Sequence, residues 1–268
     1  NERNRERARI TEYGTIDLTS LDMQINAIDY ITVSESSRTT IFPEENKATF
    51  KENRNIVFSG WVNSGKWEIN ILSGDYNYDE NKFNIYNSEA AYFHVAPLKK
   101  EDGDRYIPLQ STISGIKGEL LVNDVSNRSG LKKGFDHFPT LVSKEKARVY
   151  YDYRSLHLGA YDKERFYYEL DPFTIDSLAT FTDENITFSG ELTSAGIFPK
   201  IRQDVKIMPD YSLGFSKEAP ADGYPFYGTA AKYNNKILLS NNGLQGGGTI
   251  DFLNSSSTSK NLFTFLPD

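Results

Sequence analysis

The sequence predicts an all-β fold, an elongated curved sheet or β-solenoid-like stack of antiparallel strands, on three observations. Aromatic residues are abundant, with 17 Tyr and 17 Phe against 2 Met, and with the β-branched residues they fit the half-buried pleat of a strand. Short runs of alternating apolar and polar residues recur at roughly 8–12-residue spacing, closed by Gly, Pro, Asn and Asp. One phrase also occurs twice: Phe58-Ser59-Gly60-Trp61-Val62-Asn63-Ser64-Gly65 returns as Phe188-Ser189-Gly190-Glu191-Leu192-Thr193-Ser194-Ala195-Gly196, an offset of 188 − 58 = 130 residues. A β-hairpin used as a unit explains such a repeat.

In chain order, residues 1–13 read as a short charged helix or linker, in which Arg3, Arg5, Arg7 and Arg9 are interleaved with Glu2 and Glu6. A first β block spans 14–110 and a second 111–268, with one continuous sheet expected. Ile16, Leu18, Met23, Ile25, Ile28, Ile31 and Val33 mark the first strands. The polar stretch Ser34 to Asn55, which holds Pro43, reads as a loop. In the first copy of the phrase Phe58, Gly60 and Val62 share a face, and after the turn Trp67, Ile69 and Ile71 alternate again. Gly74 to Asn81 reads as a turn, and Phe83, Ile85, Tyr92, Phe93 and Val95 continue the sheet.

Lys99 to Arg105 reads as an exposed loop and Ile113 to Val122 as the opening of the second block. Asn127 to Phe138 is a surface excursion with two Gly. Val149 to Tyr153, then Leu156, Leu158 and Ala160, then Phe166, Tyr168 and Leu170 read as strands. After the second copy come Val205 to Met208, Tyr211 to Phe215, Tyr227 to Ala230, Ile237 to Leu239, Gly246 to Phe252 and Leu262 to Leu266.

Composition excludes several chemistries. The net charge is −7, from 37 acidic and 30 basic residues, so no phosphate-binding surface and no nucleic-acid partner is expected. The chain has no Cys, which removes disulfides, thiol nucleophiles and zinc–thiolate sites. No run reaches the roughly 18–20 apolar residues of a membrane-spanning helix. An opening Asn on a charged run leads to the expectation of a processed product or a segment cut from something longer.

Asp75, Asn77, Asp79 and Asn81 alternate as in the start of a calcium loop. Glu80 stands where such a loop needs Gly, and Tyr86 where it needs Glu, so an ordinary turn is expected and no metal; Asp75, Asn77 and Asp79 are the calcium candidates. His94, His137 and His157 have no local partner at metal-ligand spacing. Asp152 with Asp162, or Glu169 with Asp171, are candidate acid–base pairs of a glycoside-acting enzyme, yet no nucleophile–base signature accompanies them. Gly246-Gly247-Gly248 lacks the Lys of a phosphate loop and reads as a bulge or tight turn. No cofactor and no catalytic residue is expected. Trp61, Trp67, Tyr76, Tyr78, Tyr150, Tyr151 and Tyr153 are candidates for stacking on sugar rings, but strand alternation sends about half of them into the core.

The wording is most specific toward the C-terminus. Ser194-Ala195-Gly196-Ile197-Phe198-Pro199, Pro209-Asp210-Tyr211-Ser212-Leu213-Gly214-Phe215, Tyr224-Pro225 and Leu239-Ser240-Asn241-Asn242-Gly243-Leu244-Gln245-Gly246-Gly247-Gly248 resemble a family of very large, uncharacterised cell-envelope proteins of Bacteroidota-type bacteria. Ser126 to Gly130, Tyr150-Tyr151-Asp152 and Leu170-Asp171-Pro172-Phe173 look like the same family. The resemblance implies an internal fragment of a long, extracytoplasmic protein, in the periplasm or at the cell surface, whose partners are other segments of the same chain, with lipid or envelope proteins as further candidates. A looser resemblance to AsmA/TamB-type β proteins implies an apolar groove for lipid. The expected function is a non-enzymatic structural or transport scaffold; the alternative is a glycan- or protein-binding surface module, and the third reading is an enzyme acting on glycosides.

Overall fold

The computed structural model describes residues 13–99, 105–153, 158–182 and 186–267. Residues 1–12 of the expected linker, 100–104 of the loop Lys99 to Arg105, Leu156 and His157 lie outside them. Among the described residues there is no α-helix, only the 3-10 turns Glu44–Asn46 and Val125–Asn127; all other regular structure is antiparallel strand.

The chain forms two compact units that do not follow chain order. The first comprises Asn1–Phe93, Ser114–Lys146 and Pro172–Phe181; the second His94–Ile113, Ala147–Asp171 and Thr182–Asp268. The blocks read from the sequence, 14–110 and 111–268, are sequential because composition cannot show which distant strands pair. Here Gly118–Leu121 pairs with Lys82–Val95, which draws the start of the second block into the first unit.

In the first unit Thr39–Pro43 pairs with Ile56–Ser64, which forms a hairpin with Trp67–Asn77, which in turn pairs with Lys82–Val95. Gly118–Leu121, Thr140–Ser143 and Phe173–Ile175 continue the ladder. Two readings change. Ser34 to Asn55 holds the strands Thr39–Pro43 and Ala48–Phe50, because Thr39, Thr40, Ile41 and Phe42 are strand formers and Pro43 comes last. Gly74 lies within a strand: Trp67–Asn77 runs straight through it with bulges between Asn70 and Gly74, and the turn comes later.

In the second unit Ala147–Tyr150, Phe166–Leu170, Gly190–Ser194 and Ile201–Arg202 pair in succession. A separate eight-stranded antiparallel sheet takes Thr187–Phe188 and the strands from Val205–Ile207 to Ser255–Thr264, so the strands form two sheets and not the one continuous sheet expected. Leu158 is exposed in a turn and Tyr227 to Ala230 is a turn, so neither is the strand read from its apolar residues.

The repeated phrase is a repeated packing unit, one copy in each unit of the chain. Phe58, Gly60, Val62 and Ser64 are buried in alternation, as are Phe188, Gly190, Leu192 and Ser194. A Cβ on Gly60 would lie 2.3 Å from the Phe42 carbonyl oxygen, and one on Gly190 2.1 Å from that of Glu169. Glycine recurs because a neighbouring backbone occupies the space of a side chain.

The second unit explains much of the tyrosine load. Tyr151 donates to the Leu213 carbonyl at 2.9 Å, Tyr161 to that of Phe265 at 2.6 Å, and Tyr233 to that of Gly247 at 2.6 Å. Each ring fills core while its hydroxyl satisfies a backbone oxygen that Phe would leave bare. Burial raises the Tyr151 hydroxyl far above its ordinary value and those of Tyr161 and Tyr233 to about 12. In the unfolded chain these groups titrate near 10, so above that pH the folded state holds more protons than the unfolded one. Their contribution is therefore complete below about pH 10 and lost as pH rises toward 12. The expected result is a thermal midpoint that falls above about pH 10 in step with tyrosinate absorbance; a midpoint unchanged to pH 12 contradicts this account.

Candidate functional site

The outer face of the first unit is built by the period of its strands. In Ile56–Ser64 the inward residues are core, which leaves Val57, Ser59, Trp61 and Asn63 on the other side. Cross-strand register sets their neighbours. Phe42 lies opposite Trp61, and Trp61 opposite Asn70.

Four rings form a row across these strands. Tyr30 and Phe42 have centroids 6.3 Å apart, and Trp61 and Tyr92 5.5 Å. Tyr30 is 62% and Phe42 39% exposed, while Trp61 and Tyr92 are half-buried. The Tyr92 hydroxyl donates to Glu68 at 2.8 Å; burial first, then that hydrogen bond and the Glu68 charge, hold it up at about 12. The hydrogen bond to Glu68 fixes the orientation of the ring.

Further along the same face an open cleft of about 610 Å³ is lined by Asp22, Lys51, Asn53, Asn55, Asp75, Asn77, Asn84 and Tyr86, among others. A second hollow of about 390 Å³ shares Val57, Asp75 and Tyr86 with it and adds Ser59 and Leu72. Val57 and Leu72, 41% and 46% exposed, give this part an apolar floor. Asp75 is held by two donors: Asn84 Nδ2 at 3.1 Å and the Tyr86 hydroxyl at 2.5 Å. The hydrogen bond to Asp75, reinforced by desolvation and charge, raises the Tyr86 pKa. Lys51 pairs with Asp22 at 2.6 Å.

Three carboxamides of the cleft are anchored through oxygen. Asn53 Oδ1 accepts from the Asn55 amide, Asn55 Oδ1 from that of Tyr78, and Asn77 Oδ1 from that of Glu80, at 3.2, 3.0 and 3.0 Å. Their NH2 groups are what they offer to a ligand.

The candidate residues separate accordingly. Trp61 belongs to the ring row. Trp67, Tyr76 and Tyr151 are core: Trp67 is stacked on Phe93 at 4.6 Å, Tyr76 donates to Asn81, and Tyr151 to Leu213. Alternation and the bulges of Trp67–Asn77 turn the first two inward, so none of the three can stack on a solvent ligand. Tyr78 has its ring covered by the guanidinium groups of Arg54 and Arg128, at 4.3 and 4.5 Å. Tyr153 lies in the second unit with its hydroxyl on the Gln110 carbonyl.

The calcium candidates are spread by the strand end. Asp75 and Asn77 lie on the outer face, Asp79 pairs with Arg54 at 2.9 Å, and Asn81 is buried on Tyr76 and the Asn123 carbonyl. Among the described residues no group of three or more His, Asp or Glu is placed to hold a metal ion. Of the candidate acid–base pairs, Asp152 faces Lys163, Glu169 faces Arg148, and Asp171 pairs with Arg202. The three consecutive glycines lie in the strand Gly243–Phe252 at a register shift.

Tyr30, Phe42, Tyr86 and Tyr92 escaped the sequence reading. Tyr86 and Tyr92 lie in one strand, Lys82–Val95, with register shifts between them, while Tyr30 and Phe42 come from earlier runs, so register and bulges decide that they share a face with Trp61. Comparison with protein-family models, curated proteins and solved structures finds no match for this chain.

Proposed function

We propose that this chain is a non-enzymatic scaffold segment of a large, extracytoplasmic cell-envelope protein of a Bacteroidota-type bacterium, an elongated stack of antiparallel strands, and that the outer face of its first unit binds a ligand. The observation that carries the reading is the ring row beside the cleft. The repeat sharpens it: both copies keep the buried Phe, Gly, aliphatic and Ser, but the outward position holds Trp61 in one and Glu191 in the other. Core packing does not require an indole there.

Asp75 and Asp22 are each committed to donors of the protein, which suits hydrogen-bond acceptors better than an acid–base pair. A lipid-handling groove is the second reading, favoured by exposed Val57, Leu72 and Phe42 on this face. The polar cleft continuous with them supports a polar ligand more strongly. Among the described residues no helix is long and apolar enough to cross a membrane.

The test is sedimentation with isolated outer-membrane and cell-wall fractions of a Bacteroidota bacterium. The chain is expected to pellet with envelope material, and a Tyr30→Ala, Trp61→Ala variant with unchanged circular dichroism to bind at least about tenfold more weakly, or about 1.4 kcal/mol. A wild-type chain that stays in the supernatant with every fraction overturns the proposal.

A further inference from the structure

We infer that the ligand of this face is an uncharged glycan chain, its hydroxyls read in the cleft by Asp75, Asn77 and Asn84 and its ring faces carried by Tyr86 and the Trp61 row. This rests on the binding role proposed above and names its chemistry.

A sugar presents hydroxyls that both donate and accept, set around an apolar C–H face. The cleft matches both halves. Its acceptors are the carboxylate of Asp75 and the Asn84 carbonyl, whose amide nitrogen is already used on Asp75. Its donors are the NH2 groups of Asn53, Asn55 and Asn77, left outward because their oxygens are tied to backbone. Its apolar components are the Tyr86 ring, 58% exposed, and the floor of Val57 and Leu72.

Charge selects against other polar ligands. Among the described residues, Asp22, Glu52 and Asp75 line the cleft against one cation, Lys51, itself paired to Asp22. A phosphate, a nucleic acid or an acidic polysaccharide meets net negative charge there. A neutral chain loses nothing to this field, and the hollow that continues the cleft past Val57 to Ser59 suits a polymer better than a compact solute.

The experiment treats the envelope fraction before sedimentation with periodate, which cleaves vicinal diols, with proteinase K, or with chloroform–methanol. Binding is expected to vanish after periodate alone and to stay constant as NaCl rises from about 0.05 to about 0.5 M, because no charge is exchanged. Tyr86→Ala and Asp75→Asn are each expected to weaken it at least about tenfold, with unchanged near-ultraviolet circular dichroism; Tyr153→Phe, in the second unit, leaves it unchanged. Loss after proteinase K makes the partner a protein, and loss after solvent extraction a lipid. Either result, or steep salt dependence, overturns the inference while the binding face stands. Absence of pelleting in untreated fractions sinks the binding face itself.

Discussion

Gly60→Ala is expected to destabilise the first unit by about 2–6 kcal/mol, combining positive-φ strain with steric overpacking. The Gly60 φ of +134° is one that L side chains rarely adopt, and the added Cβ meets the Phe42 carbonyl at 2.3 Å and the Glu44 amide nitrogen at 2.7 Å. Both obstacles are backbone and cannot rotate away. Gly190→Ala carries the clash without the φ penalty: its Cβ lies 2.1 Å from the Glu169 carbonyl. A cost of about 1–3 kcal/mol is expected in the second unit. Urea denaturation followed by circular dichroism measures both, with Ser59→Ala on the open face as a control near zero. A domain is stable by only about 5–15 kcal/mol, so the Gly60 variant is expected to be partly unfolded at 37 °C. A loss below about 0.5 kcal/mol at Gly60 would mean that the repeated glycine is not there to admit a neighbouring strand.

Trp67→Ala is the second large effect, about 3–5 kcal/mol. Trp67 is fully buried, stacked on Phe93, and no rearrangement of a packed core refills an indole. Its indole nitrogen is buried without a hydrogen-bond partner, so Trp67→Phe removes a costly donor along with some volume and is expected to cost well under half as much. The chain has two Trp, and fluorescence separates them: emission of the Trp67 variants comes from half-exposed Trp61 and shifts to the red. Equal losses for the Ala and Phe variants would overturn the account of the indole nitrogen.

The two tryptophans show how far the sequence could be read. Both stand in strands of the same hairpin, and composition treats them alike. Period-two alternation from Phe58 and Val62 sends Trp61 outward, and the same rule from Ile69 and Ile71 sends Trp67 inward. The β class, the hairpin unit, the buried phase of each copy and the absence of thiol chemistry were all legible this way, because they depend only on residue type and local spacing. Tyr76 was harder, since the bulges between Asn70 and Gly74 change the phase of the strand that carries it.

What the sequence by itself determined is which side chains leave the core where alternation runs unbroken, as in Ile56–Ser64. Only the tertiary structure decided which of them meet. Asp75 stands opposite Asn84 because the hairpin of Trp67–Asn77 and Lys82–Val95 closes in that register. Phe42 stands beside Trp61 because a strand that places its partner residue 61 − 42 = 19 positions earlier docks on the same edge. Local propensity acts within a few residues. Register between strands is set by turn length, by bulges and by the burial of both partners at once, and a shift of one residue would send every outward side chain to the other face.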